Sequence, residues 1–336
     1  KRFNIYNVDL YDAVADHFWF NVVVDDVFID NVKEHTRNAT RAALQFSAIP
    51  IRSTQSNINT IKYEWESVVY RDEVTKHSIT NLISDRVDII SNEAVWDKTF
   101  ISLSNVQSGL SFLRVADFSI SNCRFERLID FRYCNIKASN SVFTSVDDSP
   151  IGLIANISDN KLSFNECGFL SNGSYDYVVD VNAGGDQMDS LKFHDCEFSK
   201  PIALRRITNI ELFDLDIADP NGIGHAVSLW AENPTYPMKA KVKDIDTNSD
   251  NIIKTTELPD VTFGGSYNEK NLGIPASSGA YAAPVKCSAT VFVNSDPSGR
   301  LRGFHGATAI SMTDPIQRWV YSSITQQGFD SHWVSL

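Results

Sequence analysis

Basic charge, long apolar runs and cysteine are what this chain has little of. Thirty Lys and Arg stand against 42 Asp and Glu, leaving a net charge of −12. A polyphosphate would be repelled, so no nucleic-acid partner is expected. Apolar runs are short and broken; Phe18-Trp-Phe-Asn-Val-Val-Val24 stops at Asp25, which argues for a soluble chain with no membrane insertion. The five cysteines are odd in number and fit no zinc spacing. No metal site and no cofactor are therefore expected. A phosphate-cradling Gly-Lys-Ser/Thr loop, a Gly-x-Ser-x-Gly elbow and a paired His-Glu zinc helix are all missing. Gly222-Ile-Gly224-His225 is a fragment of a glycine-rich motif where a turn is needed anyway. No secretory signal is visible and the first residue is Lys1, so the chain is expected to be a processed piece of a longer one. Without a secretory context the Asn-x-Ser/Thr sites at Asn38, Asn156 and Asn172 carry little meaning.

What is there is a repeat. One short pattern returns five times between Phe118 and Ile217, at Phe118–Phe125, Ile136–Phe143, Leu162–Phe169, Leu191–Phe198 and Ile210–Ile217. Apolar residues alternate through the first half of each unit, as in a strand. A polar Asn, Glu or Asp follows, then a small or apolar residue, and two positions later a Phe or Ile. The change of phase after the polar residue predicts a bend between two short strands. Constant pattern at irregular spacing predicts an all-β solenoid, a right-handed parallel β-helix whose loops vary in length. Phe125, Phe143, Phe169, Phe198 and Ile217 would then stack inside it, each burial contributing roughly 1.5–3 kcal/mol. An antiparallel sandwich is the alternative, but it gives no reason for Cys123, Cys167 and Cys196 to share one slot of the repeat. Packed free thiols explain that slot.

Around this segment the chain is read as residues 1–82, a β-rich capping region; 83–222, the β-helix; 223–261, a junction; and 262–336, a smaller C-terminal β domain. A short helix is expected within Asn31–Ser47 through Ala39, Ala42, Ala43 and Leu44, as a solenoid cap. Asp244-Ile-Asp246-Thr-Asn248-Ser-Asp250 has the alternating oxygens of a calcium loop, but Ser249 and Thr255 replace its glycine and glutamate. A solvated turn between strands Lys239–Val242 and Ile252–Thr255 is the plainer account. In the last segment Trp319, Tyr321 and Trp333 alternate with polar residues, which suggests an aromatic surface facing a partner or ligand.

The terminal run Gln317-Arg-Trp-Val-Tyr321, then Gly328, then Trp333-Val-Ser-Leu336 resembles the closing segment of phage tail-fibre proteins. With an upstream β-helix the chain resembles a phage tailspike. The resemblance implies a virion protein of the phage tail, a homotrimer joined to other tail proteins through its missing N-terminus. It would bind a bacterial surface polysaccharide, capsule or O-antigen, and often cleave it. A non-enzymatic tail fibre, baseplate component or receptor-binding adhesin is the alternative.

Glycoside hydrolysis needs two carboxylates flanking one bond. The candidates are Asp147 and Asp148 after the second repeat, Asp176 and Asp180 in the long loop after Phe169, and Glu166 and Asp195 in the repeats. Tyr175, Tyr177, Glu197 and Arg205 are candidates for substrate binding, the tyrosines by stacking on a sugar ring and Arg205 by pairing with a carboxylated sugar. Each has a plainer role open to it. Asn122, Asn140, Glu166, Asp195 and Asp214 share one slot, where they would satisfy backbone groups at a bend. Asp147-Asp-Ser-Pro150 reads as a turn opener, Asp176 and Asp180 as a solvated loop, and Arg205 as one arm of a surface ion pair.

Overall fold

A computed structural model describes residues 2–11, 18–20, 24–35, 44–48, 50–69, 73–90, 98–114, 116–154, 160–171, 173–181, 187–231, 237–256, 260–274, 285–298, 300–301, 303–304, 306–313, 316–321 and 333–336. Every regular element among these residues is a β-strand. The chain divides into two compact units, Lys1–Tyr175 and Asp176–Leu336.

In the first unit, strands Arg2–Leu10, Asp26–Glu34, Arg52–Val69, Thr75–Ile90, Thr99–Ser104, Asp117–Ser121, Asn135–Ser139 and Lys161–Asn165 pair in that order, all parallel and in register. A second parallel series carries Thr75–Ile90 on to Gln107–Arg114, Arg124–Arg132, Val142–Ser145 and Gly168–Leu170. The sandwich alternative is thereby excluded for this unit. The repeat is plain only from about Phe118, yet the pairing reaches back to Arg2, because parallel pairing needs alternation and a shared bend rather than the same side chains.

The bend has one chemical cause. Asn7, Asn31, Asn57, Asn81, Asn105, Asn122, Asn140 and Glu166 stand opposite one another in register, with φ between 47° and 54°. Asparagine tolerates this left-handed conformation best among residues with a side chain, and its amide adds a second function. Asn31 Nδ2 donates to Asn7 Oδ1 at 2.8 Å, Asn81 to Asn57 at 3.0 Å and Asn105 to Asn81 at 3.2 Å. The residue after the bend turns inward. Cys123, Ser141 and Cys167 are buried there, and each side chain donates to the carbonyl two residues back, at 3.2, 2.8 and 3.2 Å. Thiol and hydroxyl thus do the same local work, which explains the repeated slot. The cysteines are free.

Inside the first unit Phe125 stacks on Phe143 at 5.7 Å and Phe169 packs tilted against Phe143 at 5.3 Å, all fully buried. A polar exception lies nearer the N-terminus. His77 accepts from or donates to Ser53 Oγ through Nδ1 at 3.0 Å and packs edge-on to Trp65 at 4.4 Å. Burial drives its pKa down to about 3, so it is a neutral core histidine. The expected helix within Asn31–Ser47 is not formed where the chain is described. Asn31–Glu34 belongs to one strand and Leu44–Ala48 is another, in which Leu44, Phe46 and Ala48 are buried alternately; residues 36–43 lie outside the described residues. Period two outweighs helix propensity once those three side chains have a core to fill.

In the second unit one parallel series runs Met188–His194, Ile207–Ile217, Lys239–Thr247, Asp260–Gly264 and Val285–Cys287. Another runs Val179–Val181, Ile202–Arg205, His225–Trp230, Asn251–Thr256 and Asn271–Ile274. Asp195, Asp214 and Asp244 turn its bend with φ of 50°, 54° and 51°, and Phe198 lies in register with Ile217. The sequence pattern fades after Gly222, but parallel pairing continues to Cys287. A separate sheet follows: Ser266–Asn268, Thr290–Val293 and Thr308–Ser311 pair parallel, and Arg318–Tyr321 and Trp333–Ser335 add to it antiparallel. Its aromatics are not a surface. Trp319, Tyr321 and Trp333 are all buried, with Tyr321 and Trp333 edge to face at 5.2 Å and Trp333 Nε1 donating to Leu301 O at 3.0 Å. Sequence alternation identified one face correctly and its direction wrongly, since so small a sheet has to spend its largest rings on its own core.

Candidate functional site

The second unit gathers several of the candidate residues on one flank. Val179–Val181, Ile202–Arg205 and His225–Trp230 lie side by side, with Asp180 opposite Ala203, Ala203 opposite Ser228 and Arg205 opposite Trp230. Alternation turns Val179, Val181, Leu204, Val227 and Leu229 into the core, which leaves Asp180, Arg205, Ser228 and Trp230 on the outer side. Arg206 takes the bend at φ 52°, so the adjacent arginines diverge and only Arg205 belongs to this face. His225 enters from a turn built by Gly222 (φ 65°) and Gly224 (φ 86°), whose Ile223 and Gly224 amides both donate to the Asp219 carboxylate at 3.0 Å.

Charge and hydrogen bonding hold the cluster together. Arg205 approaches Asp180 to 3.5 Å and lies over the Trp230 ring, 4.9 Å from its centre. Tyr177 OH and His225 Nε2 are 3.1 Å apart. Burial raises the Asp180 carboxyl above the usual range, against the pull of Arg205. Burial and then the Asp176 charge raise the Tyr177 phenol, while burial and the Lys254 charge lower His225. Two polar atoms here, Asp180 Oδ1 and Trp230 Nε1, are shut from solvent without a hydrogen-bond partner among the described residues. Such atoms are uncommon in folded proteins, and they mark a place whose bonding capacity is not spent on the fold.

Comparison with protein-family models, curated proteins and solved structures finds no match. The site therefore rests on its own geometry.

The other candidates do not join it in the described structure. Asp147 and Asp148 form an exposed turn, with Asp148 at φ 58° and accepting from Ser174 Oγ at 3.0 Å. Tyr175 is exposed. Glu166 and Asp195 occupy the left-handed bend, and Glu197 is an exposed strand residue opposite Asp216. Asp244 and Asp246 of the calcium-like loop belong to the strand Lys239–Thr247, and their loop is otherwise used by the protein: Ser249 Oγ donates to Asp219 at 2.8 Å and Asp219 N to Asn248 Oδ1 at 2.6 Å. A cavity of about 380 Å³ lies against Asp244, Asp246, Asn268 and Lys270. No cluster of three or more metal-binding side chains occurs among the described residues.

His225, Ser228 and Trp230 were not legible as site residues. Gly222-Ile-Gly224 marks only a turn, and nothing in the sequence says which strand that turn delivers beside Tyr177. In the first unit Arg114 grips Asp130 through two hydrogen bonds of 2.7 and 2.8 Å, and Arg132 adds a third at 3.1 Å. Arg86 and Arg114 flank the Phe112 ring at 5.4 and 5.1 Å. That face is also charged, but its buried carboxylates Asp88 and Asp130 are satisfied by arginine, as a structural network requires.

Proposed function

We propose that the chain is a tailspike-like protein, a right-handed parallel β-helix acting as a trimer, that binds and hydrolyses a bacterial surface polysaccharide. In-register parallel pairing within each unit supports the solenoid. The observation that carries the hydrolytic reading is Asp180, a half-buried carboxyl with raised pKa and one unsatisfied oxygen, set among Arg205, Trp230 and the Tyr177–His225 pair. A carboxyl whose affinity for its proton is raised by burial is suited to give that proton to a glycosidic oxygen. Asp176, exposed and close enough for its charge to bear on both Tyr177 and His225, is the second carboxylate, as nucleophile or as activator of water. Trp230 offers a flat face to a sugar ring.

The purified protein should shorten capsular or lipopolysaccharide glycans from a bacterial panel and generate new reducing ends. Asp180→Asn and Asp176→Asn should each abolish shortening while glycan binding persists. Full activity in both variants would remove this assignment. The Arg205–Asp180 ion pair supports a second reading, a receptor-binding fibre in which that pair is structural. Binding of a glycan that stays at full length would favour it.

A further inference from the structure

Strand Lys239–Thr247 turns Lys239, Lys241 and Lys243 to one exposed side and buries Ala240 and Val242 between them. Neighbouring strands continue this side, about 4.8 Å away at each step. Lys241 stands between Glu211 and Thr262, and Lys243 between Phe213 and Gly264. Lys192 lies beyond Glu211, and Lys286 beyond Thr262. Five ammonium groups thus share one face of a chain whose net charge is −12.

Their carboxylate partners are few. Glu211 bridges Lys192 at 2.7 Å and Lys241 at 3.1 Å, and Lys243 pairs with Asp244 at 3.1 Å. Asp260 stands beside Lys239 in register, but neither Lys239 nor Lys286 has an ion-pair partner among the described residues. Half-exposed Phe213, with His194 stacked on it at 5.0 Å, supplies a ring on the same side. Cations in line, with the Thr262 hydroxyl and the Phe213 ring between them, fit an extended polymer that carries both negative charge and flat apolar faces.

We propose that this lysine face binds an anionic glycan chain, with carboxylates on the ammonium groups and a sugar ring on Phe213. The acidic balance of the whole molecule disfavours a dense polyphosphate, whereas a carboxylated glycan carries its charge more sparsely. The inference rests on the proposed function for the class of polymer, but its residues lie on other strands than Asp180.

The test is equilibrium binding of the full chain to polygalacturonate, dextran and single-stranded DNA at low and high salt. Polygalacturonate should bind best, weaken with salt, and lose at least tenfold in affinity in the Lys239→Gln, Lys241→Gln, Lys243→Gln triple variant. The Lys239→Gln, Lys286→Gln double variant, which breaks no ion pair, should lose affinity in the same direction by less, and it decides the matter if the triple variant fails to fold. No binding of polygalacturonate, equal binding of dextran, tighter binding of DNA, or unchanged affinity in the variants would each overturn the proposal. So would a variant that keeps its affinity but changes its mass in solution, which would assign the face to contacts between copies. Asp180→Asn should keep this binding, so loss of cleavage and loss of the lysine face are separately visible.

Discussion

At the scale of single residues, half-buried Asp180 and buried His77 set opposite pH dependences. Asp180 is raised by burial and held down by Arg205. Arg205→Gln removes the downward pull, so the alkaline limb of the cleavage pH profile should move to higher pH; an unmoved limb would mean that Asp180 is not the acid. His77 works the other way. Unfolded, it takes a proton near pH 6.5; folded, it refuses one until about pH 3. Its contribution is therefore complete above pH 6.5 and is lost as pH falls, by about 2 kcal/mol between pH 7 and pH 5. Urea melts at the two pH values should show that loss in the natural chain and a smaller one in His77→Gln. Neither histidine role was visible beforehand. Asp176, Tyr177, Asp180 and Arg205 could be named from residue type and loop position, but pairing Tyr177 with His225, 48 positions away, requires knowing which strands are neighbours.

At the scale of elements, the bend was legible and the rest of each turn less so. Asn122, Asn140, Glu166, Asp195 and Asp214 were read as one slot because the flanking pattern repeats, and all five have positive φ. The same slot at Asn7, Asn31, Asn57 and Asn81 went unread because different side chains surround it. A position of this kind responds to shape and amide separately. Asn81→Gly keeps the backbone and loses the bonds to Asn57 and Asn105, at about 1 kcal/mol. Asn81→Val should cost more, by roughly a further 1–2 kcal/mol, because a branched side chain is strained at φ 53°. Equal melting temperatures for the two variants would contradict the bend as the controlling feature. Of the helix expected within Asn31–Ser47, Ala39, Ala42 and Ala43 lie outside the described residues, while Leu44 and Phe46 answer to a core assembled from distant strands.

At the scale of the whole molecule, composition excluded more than it identified. Net charge −12 describes the average surface and conceals a lysine face of the opposite sign. The proposed trimer is a matter of mass in solution. Sedimentation equilibrium of the full chain should give three times 37.6 kDa; a single-chain mass across the concentration range would remove the trimer. The burial of Trp319, Tyr321 and Trp333 means that any such assembly draws on surfaces other than those rings.

A run of parallel strands in the first unit that bends through asparagine at seven successive positions carries a hazard of addressing. A strand displaced by one whole turn would find a nearly identical neighbour, with an amide to bond and an alternating face to bury. Mispaired and native arrangements would then compete closely, which is frustration in the sense of a folding landscape. The irregularities resolve the ambiguity. Phe125, Phe143 and Phe169 form a run of rings that fits only itself, Ser141 interrupts the cysteines, and the Trp65–His77 pair occurs once. Departures from the repeat are in this sense the labels that tell each turn which neighbour is its own.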